Sequence, residues 1–237
     1  MDPGPGLRIR LQEKVKNAPF IRAAIFAAFF LVAVTIGYFI LRPSGELPIY
    51  HPSQLDPRLV DQSALGQPGE HHIKPFRLID QHGDSVFRTS VEGKVVLADF
   101  FFTTCGTICP KMSTQMARVQ EAFADDDRVV LLSHSVTPEA DSVAVLQAYA
   151  KEYGVDHRRW RLMTGDRKQI YDLARTSYFA ALDHGDGGPD DFVHTENFVL
   201  VDPQGRLRGF YDGTKVAEVD QAIKDMRWLL KQMKDGA

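Results

Sequence analysis

Three features are scarce in this sequence. Only 2 of its 237 residues are cysteine, which excludes a small fold held together by several disulfides. The formal net charge is only −3, which argues against a nucleic-acid-binding protein because neutralising phosphates requires a basic surface. Repeats and low-complexity tracts are lacking as well. With 44% hydrophobic and 25% charged residues, the chain has the composition of an ordinary folded protein.

Charge is absent from one long run, Ala23–Leu41. As a helix, a run of this length spans about 28 Å, close to the roughly 30 Å hydrocarbon core of a bilayer. It is too long for the usual signal-peptide core of about 7–15 residues, so we favour an uncleaved membrane anchor over a cleaved signal peptide. The residues before the run are basic, namely Arg8, Arg10, Lys14, Lys16 and Arg22. The positive-inside rule then predicts a single-pass protein of the cell membrane, with a cytoplasmic N-terminus and the C-terminal domain on the periplasmic side.

Four segments follow from this pattern. We predict a cytoplasmic tail over residues 1–19, a transmembrane anchor over 20–42, a proline-rich tether over 43–70 and a folded domain over 71–237.

The domain alternates strand and helix patterns. An N-terminal hairpin is predicted around Gly83, and the apolar run Lys94–Phe102 is typical of a buried central strand. Thr137-Pro138-Glu139 is a typical helix start. Further strands are predicted over 128–133, 160–163, 192–201 and 207–211, and further helices after Pro110, over 166–178 and from Val216 to Met233. This order predicts the α/β class with a three-layer sandwich.

The two cysteines, Cys105 and Cys109, lie where the predicted central strand ends and a helix begins. The partial positive charge of a helix N-terminus favours thiolate over thiol. Such a pair is either a redox disulfide or a site for a soft metal such as Cu(I). A purely structural disulfide is the weaker interpretation, because closing a loop of about five residues stabilises a fold by only about 2 kcal/mol.

A copper ion held by two sulfurs needs a third ligand, and imidazole suits both of its oxidation states. Two histidines are candidates. His134 lies near the end of a predicted strand, at the sheet edge where α/β proteins bind ligands, and His194 opens another predicted strand. Spacing alone does not choose between them.

Several segments resemble the Sco/SenC family. Cys105-Gly106-Thr107-Ile108-Cys109-Pro110 is similar to its Cys-x-x-x-Cys-Pro signature, and Phe192–Gly205 and Ser133–Asp141 match further family segments. The resemblance implies a thioredoxin-like fold and a copper metallochaperone for the Cu-A centre of cytochrome c oxidase. It also implies that Cys105, Cys109 and His194 bind copper, as Cu(I) or Cu(II). The expected partners are the oxidase subunit that carries Cu-A and a second copper chaperone.

Thiol chemistry is the alternative function. Cys105 and Cys109 would then be a redox-active pair that keeps a partner's cysteines reduced, and His194 would not be needed. Asp99 lies six residues before Cys105, as the buried acid of thioredoxins precedes its first cysteine. It is therefore either a proton relay or a strand-end residue with local hydrogen bonds.

Overall fold

The computed structural model describes residues 22–38, 46–55, 70–180 and 195–235. Two compact units are present, Met1–Glu46 and Leu47–Ala237. In the first unit, residues 22–38 form a helix, α1, whose large apolar side chains are exposed, with Phe26 at 74% and Phe29 at 73%. None of the described helices is both long enough and apolar enough to span a membrane. The predicted tail and the ends of the predicted anchor lie outside the described residues.

The second unit is a mixed seven-stranded sheet in the order β2-β1-β5-β4-β3-β6-β7. Its strands are β1 (Arg77–Asp80), β2 (Ser85–Phe87), β3 (Val95–Phe101), β4 (Val129–Ser135), β5 (Trp160–Thr164), β6 (Asn197–Val201) and β7 (Leu207–Asp212). Its helices are α2 (Ile108–Ala122), α3 (Val143–Glu152), α4 (Arg167–Thr176) and α5 (Val216–Asp235). Strands β3, β4 and β5 are mutually parallel, whereas β1–β2, β3–β6 and β6–β7 pair antiparallel.

Both faces of the sheet are covered, because the central strands are apolar on both sides. Every residue of β3 is buried, and alternate residues point to opposite faces. Leu97 and Phe101 pack with side chains of α2, α3 and α5, whereas Ala98 and Phe100 pack with α4 and the N-terminal hairpin. The predicted α/β class and both terminal hairpins are confirmed.

One predicted helix start is wrong. The chain after β4 forms a turn over residues 138–140, and α3 begins only at Val143, with Ser142 as its N-cap. The N–H groups of Ala140 and Asp141 both donate to the carbonyl of Thr137 at 2.9 Å. The turn is stabilised by side-chain bonds to Asp141, which no local helix propensity encodes.

Part of the predicted tether contacts the domain. The N–H of Tyr50 donates to the carbonyl of Leu207 on the edge strand β7, at 2.9 Å. The guanidinium of Arg208 donates to the carbonyls of Leu47 and Pro48 at 2.6 and 2.9 Å. Residues 47–55 therefore lie against the domain, while residues 56–69 are outside the described part of the chain.

Candidate functional site

Cys105 and Cys109 lie at the carboxyl end of β3, as predicted. β3 ends at Phe101 and α2 begins at Ile108, so Cys105 is in the connecting loop and Cys109 in the first helical turn. Both thiols are free. Cys105 is partly exposed, whereas Cys109 is only 3% exposed. A partner can therefore reach Cys105 first.

The sulfur of Cys105 accepts hydrogen bonds from the start of α2. The backbone N–H of Cys109 donates to it at 3.5 Å, and the Thr107 hydroxyl lies 3.8 Å from it. Thr107 is the N-cap residue, but its side chain makes no capping bond. The first N–H groups of an α-helix have no acceptor within the helix, and here the sulfur of Cys105 accepts one of them.

The pKa values of the two thiols shift in opposite directions. Burial raises the pKa of Cys105, but hydrogen bonds from Cys109 and Thr107 outweigh it and lower that pKa to about 7. Burial is the main reason why the pKa of Cys109 rises to about 12. Near neutral pH Cys105 is therefore partly ionised, whereas Cys109 keeps its proton.

Asp99 lies behind this pair, on the same face of the sheet. It is 1% exposed, and its Oδ1 atom has no hydrogen-bond partner among the residues that the structure describes. Burial raises its pKa to about 7, against a hydrogen bond with Ser133 that lowers it. Its charge in turn raises the pKa of Cys109. The proton-relay role considered for Asp99 stays a prediction, supported by its burial beside the thiol.

Asp141, which the sequence analysis did not single out, is fully buried beside the Cys105 loop. Its carboxylate accepts hydrogen bonds from the hydroxyls of Thr103, Ser135 and Thr137 at 2.5, 2.5 and 3.0 Å. The N–H of Thr103 donates to it as well, at 3.3 Å. Its position four residues after Thr137 was the one available signal, but the helix predicted there concealed it.

The structure separates His134 from the cysteines. Its ring is fully buried and stacks on Phe100 with the ring centroids 4.8 Å apart, on the face of the sheet covered by α4. Cys109 packs on the opposite face. Burial lowers the pKa of His134 to about 4, so its imidazole is neutral. Because its ring lies on the face of the sheet opposite Cys109, His134 is not placed to serve as the third ligand.

His194 lies outside the described residues, so its predicted ligand role stays a prediction. Thr195 and Glu196 lead into β6, whose antiparallel pairing with β3 puts the first residues of β6 at the sheet edge where β3 ends. Among the residues described, no group of three or more histidine, cysteine or acidic side chains is arranged to hold a metal ion.

Comparison with known proteins supports the resemblance noted from the motifs. The SCO1/SenC family profile matches residues 65–231. The chain belongs to the SCO1/SenC family. The SCO1 protein homolog of Bacillus subtilis is 33% identical over 165 residues, covering 69% of this chain and 85% of that protein.

Solved Sco structures share the fold of this SCO1/SenC domain. BsSco, described as a Sco-family cytochrome c oxidase assembly protein with a disulfide switch, superposes with a TM-score of 0.58 at 33% identity, covering 69% of this chain and 95% of BsSco. Bradyrhizobium japonicum ScoI, solved with copper bound, superposes with a TM-score of 0.53 at 28% identity, covering 66% of this chain and 98% of ScoI. The predicted thioredoxin-like α/β fold of the SCO1/SenC domain is thereby confirmed.

Proposed function

We propose that this protein is a membrane-anchored copper metallochaperone that delivers copper to the Cu-A centre of cytochrome c oxidase. The observation that carries the proposal is the pair of free thiols at the start of α2, one partly exposed and prone to ionise, the other buried. Two relatives support copper as the cargo and cytochrome c oxidase as the partner, since ScoI was solved with copper and BsSco is described as an oxidase assembly protein.

The donor set suits copper. Thiolate sulfur is a soft ligand that selects Cu(I), and imidazole suits either oxidation state. We propose Cys105, Cys109 and His194 as the ligands. Because Cys109 keeps its proton near neutral pH, copper binding at Cys109 releases that proton. The affinity should accordingly rise with pH.

The two cysteines differ in solvent exposure, and this difference explains how copper is released to a partner. Cys105 is partly exposed, so a thiolate of the partner can approach copper from that side while Cys109 still holds it from within. Cu(I) tolerates two or three soft ligands, so the metal passes by stepwise exchange of one thiolate for another. A second copper chaperone would load the site by the same exchange in reverse.

Membrane attachment is the second part of the proposal. The uncharged run Ala23–Leu41 and the exposed apolar side chains of α1 support it, since large exposed apolar surfaces mark protein or membrane contacts. Basic residues before the run support a cytoplasmic N-terminus and a periplasmic domain.

The unequal thiol pKa values also favour a second candidate, a thiol–disulfide oxidoreductase. The Cys105 thiolate would attack a partner disulfide, forming a mixed disulfide and releasing one partner thiolate. Cys109, losing its proton, would then attack the Cys105 sulfur and release the second partner thiolate. The partner ends as a dithiol and this protein as a disulfide, so two electrons have passed to the partner.

Replacing His194 separates these two functions. We compare His194→Ala with Cys105→Ser and with His72→Ala, a control at an exposed histidine on the domain. In detergent, the full-length proteins are titrated with Cu(I) against a competing chelator and with Cu(II) by absorption spectroscopy. In cells, oxidase activity is measured for each variant.

Copper delivery predicts that His194→Ala and Cys105→Ser both lose oxidase activity, while His72→Ala retains it. Cu(II) binding should suffer most in His194→Ala, because two thiolates alone still hold Cu(I) in near-linear coordination. Added copper should partly restore the His194 variant. Full oxidase activity of His194→Ala with an unchanged Cu(II) spectrum would instead favour the oxidoreductase, whose exchange rate depends on the sulfurs.

A further inference from the structure

The Asp141 carboxylate joins the loop after β3 to the segment that ends β4 and follows it. Thr103 belongs to the loop that carries Cys105, Ser135 ends β4, and Thr137 opens the turn that follows β4. Each of the three hydroxyls donates to Asp141, and Thr103 donates its backbone N–H as well. Hydrogen bonds to a carboxylate are stronger than those between neutral groups, so this cluster ties the two segments together.

Thr103 donates two of these bonds, and it lies two residues before Cys105. On the other side, the sulfur of Cys105 accepts the N–H of Cys109 at 3.5 Å. The short loop between the two attachments is therefore tied at one end to Asp141 and at the other to the first turn of α2. The backbone N–H of Cys105 also donates to the carbonyl of Phe102 at 3.3 Å, which closes the loop as a turn.

We infer that Asp141, acting through Thr103, is a positioning residue that holds the Cys105 sulfur next to Cys109. This inference rests on the proposed function, since it explains how the dithiol is kept ready for copper or for disulfide formation. A pair held in place has a high effective concentration of one thiol at the other, whereas a freely moving loop must lose entropy to bring them together.

A purely structural role for Asp141 has a different signature. If the cluster only stabilised the fold, losing the Thr103 hydroxyl would lower the melting temperature and leave the chemistry of the thiols unchanged. The equilibrium between dithiol and disulfide is thus the readout to measure. In this reaction, the protein dithiol and one molecule of glutathione disulfide give the protein disulfide and two molecules of reduced glutathione.

The experiment uses the full-length chain in detergent, without copper, equilibrated with glutathione buffers. Thr103→Val removes the hydroxyl at nearly constant volume, and Thr103→Ser restores it. Thr104→Val is the matched control, since it makes the same change one residue nearer Cys105, at an exposed side chain. Circular dichroism and melting temperature are recorded for every variant, and Thr103→Ala replaces Thr103→Val if the latter does not fold.

We expect Thr103→Val to lower the equilibrium constant for disulfide formation about tenfold, which makes the reduction potential about 30 mV less negative. Thr103→Ser and Thr104→Val should stay within about twofold of the wild type. Asp141→Asn should act in the same direction, and Asp141→Asn combined with Thr103→Val should show less than the sum of the two effects, because both remove the same link.

An unchanged equilibrium constant in a folded Thr103→Val protein would overturn the inference. So would an equal change in Thr104→Val, or no rescue by Thr103→Ser. Because copper is absent from this experiment, its outcome is independent of whether the protein delivers copper. Failure of the oxidase measurement with His194→Ala would leave the positioning role of Asp141 intact, and failure here would leave copper delivery intact.

Discussion

The backbone N–H of Cys109 donates to the sulfur of Cys105 across 3.5 Å, so one cysteine serves as a hydrogen-bond acceptor at the start of the helix that carries the other. Their spacing of four residues makes this contact possible, since Cys105 precedes the N-cap Thr107 and Cys109 lies within the first helical turn. The contact favours the thiolate form of Cys105, whereas burial keeps Cys109 protonated.

Alkylation should therefore distinguish the two cysteines by pH. With a pKa of about 7, Cys105 should react with iodoacetamide in a pH profile centred near neutrality, well below the value of 9.0 for an ordinary cysteine. Cys109, with a pKa of about 12, should stay unmodified across the same range in the folded protein. Mass spectrometry of modified peptides from wild-type and Cys105→Ser proteins measures both rates. Equal rates with a common midpoint near 9 would contradict this asymmetry.

Asp99 should make the stability of the fold depend on pH. Its pKa is 3.8 in an ordinary environment and about 7 in the fold, so the folded state holds the proton more tightly than the unfolded one. The associated stability is fully present below about pH 4 and is lost as pH rises towards 7. Between acidic and mildly alkaline pH the wild type should lose about 2–4 kcal/mol of unfolding free energy, and Asp99→Asn should not show this loss.

Urea unfolding of both proteins at about pH 4, 6 and 8 measures this difference. Asp125→Asn, a change at an exposed aspartate, is the control and should track the wild type at each pH. If the difference between Asp99→Asn and the wild type is the same at all three pH values, the pKa of Asp99 is not raised in the fold.

Arg208 should anchor the segment before the domain. Its side chain is 8% exposed, pairs with buried Asp202 at 3.0 Å and donates to the carbonyls of Leu47 and Pro48. Arg208→Met should cost about 3 kcal/mol, because it leaves a buried charge with one partner fewer. It should also speed protease cleavage around Leu47–Tyr50.

Arg158→Met is the comparison for this variant. Arg158 pairs with Asp156 at 2.8 Å, but its side chain is 70% exposed, so its loss should cost far less stability than the loss of Arg208. Thermal unfolding and timed proteolysis of both variants measure the effects. Equal loss of stability in the two would show that burial of the Arg208 pair contributes nothing.

Membrane topology should follow the basic N-terminal flank. A reporter enzyme that works only in the cytoplasm should be silent when fused after Ala237 and active when fused before Met1. Replacing the basic residues before Ala23 with acidic ones should weaken this orientation. Cytoplasmic activity of the C-terminal fusion would reverse the proposed topology.

Much of the fold could be predicted because its signals are local. The fully apolar stretch of β3, the Met112 and Met116 face of α2 and the turns of both hairpins each depend on neighbouring residues and on the period of a strand or helix. The start of α3 could not be predicted in this way. Thr137-Pro138-Glu139 has the composition of a helix start, yet Asp141, which is bonded to the distant Thr103, also accepts the Thr137 hydroxyl and stabilises a turn there.

The sequence by itself determined the chemistry available to this protein: two cysteines four residues apart at a strand-to-helix junction, and a long uncharged run behind a basic flank. Those properties depend on residue type and spacing along the chain. Only the tertiary structure decided which polar residues surround the thiols. It put His134 on the far side of the sheet, buried Asp99 behind Cys109 and joined Thr103 to Asp141. Which face of a sheet a side chain occupies, and how strongly it is desolvated, depends on strand pairing and on helices distant in sequence.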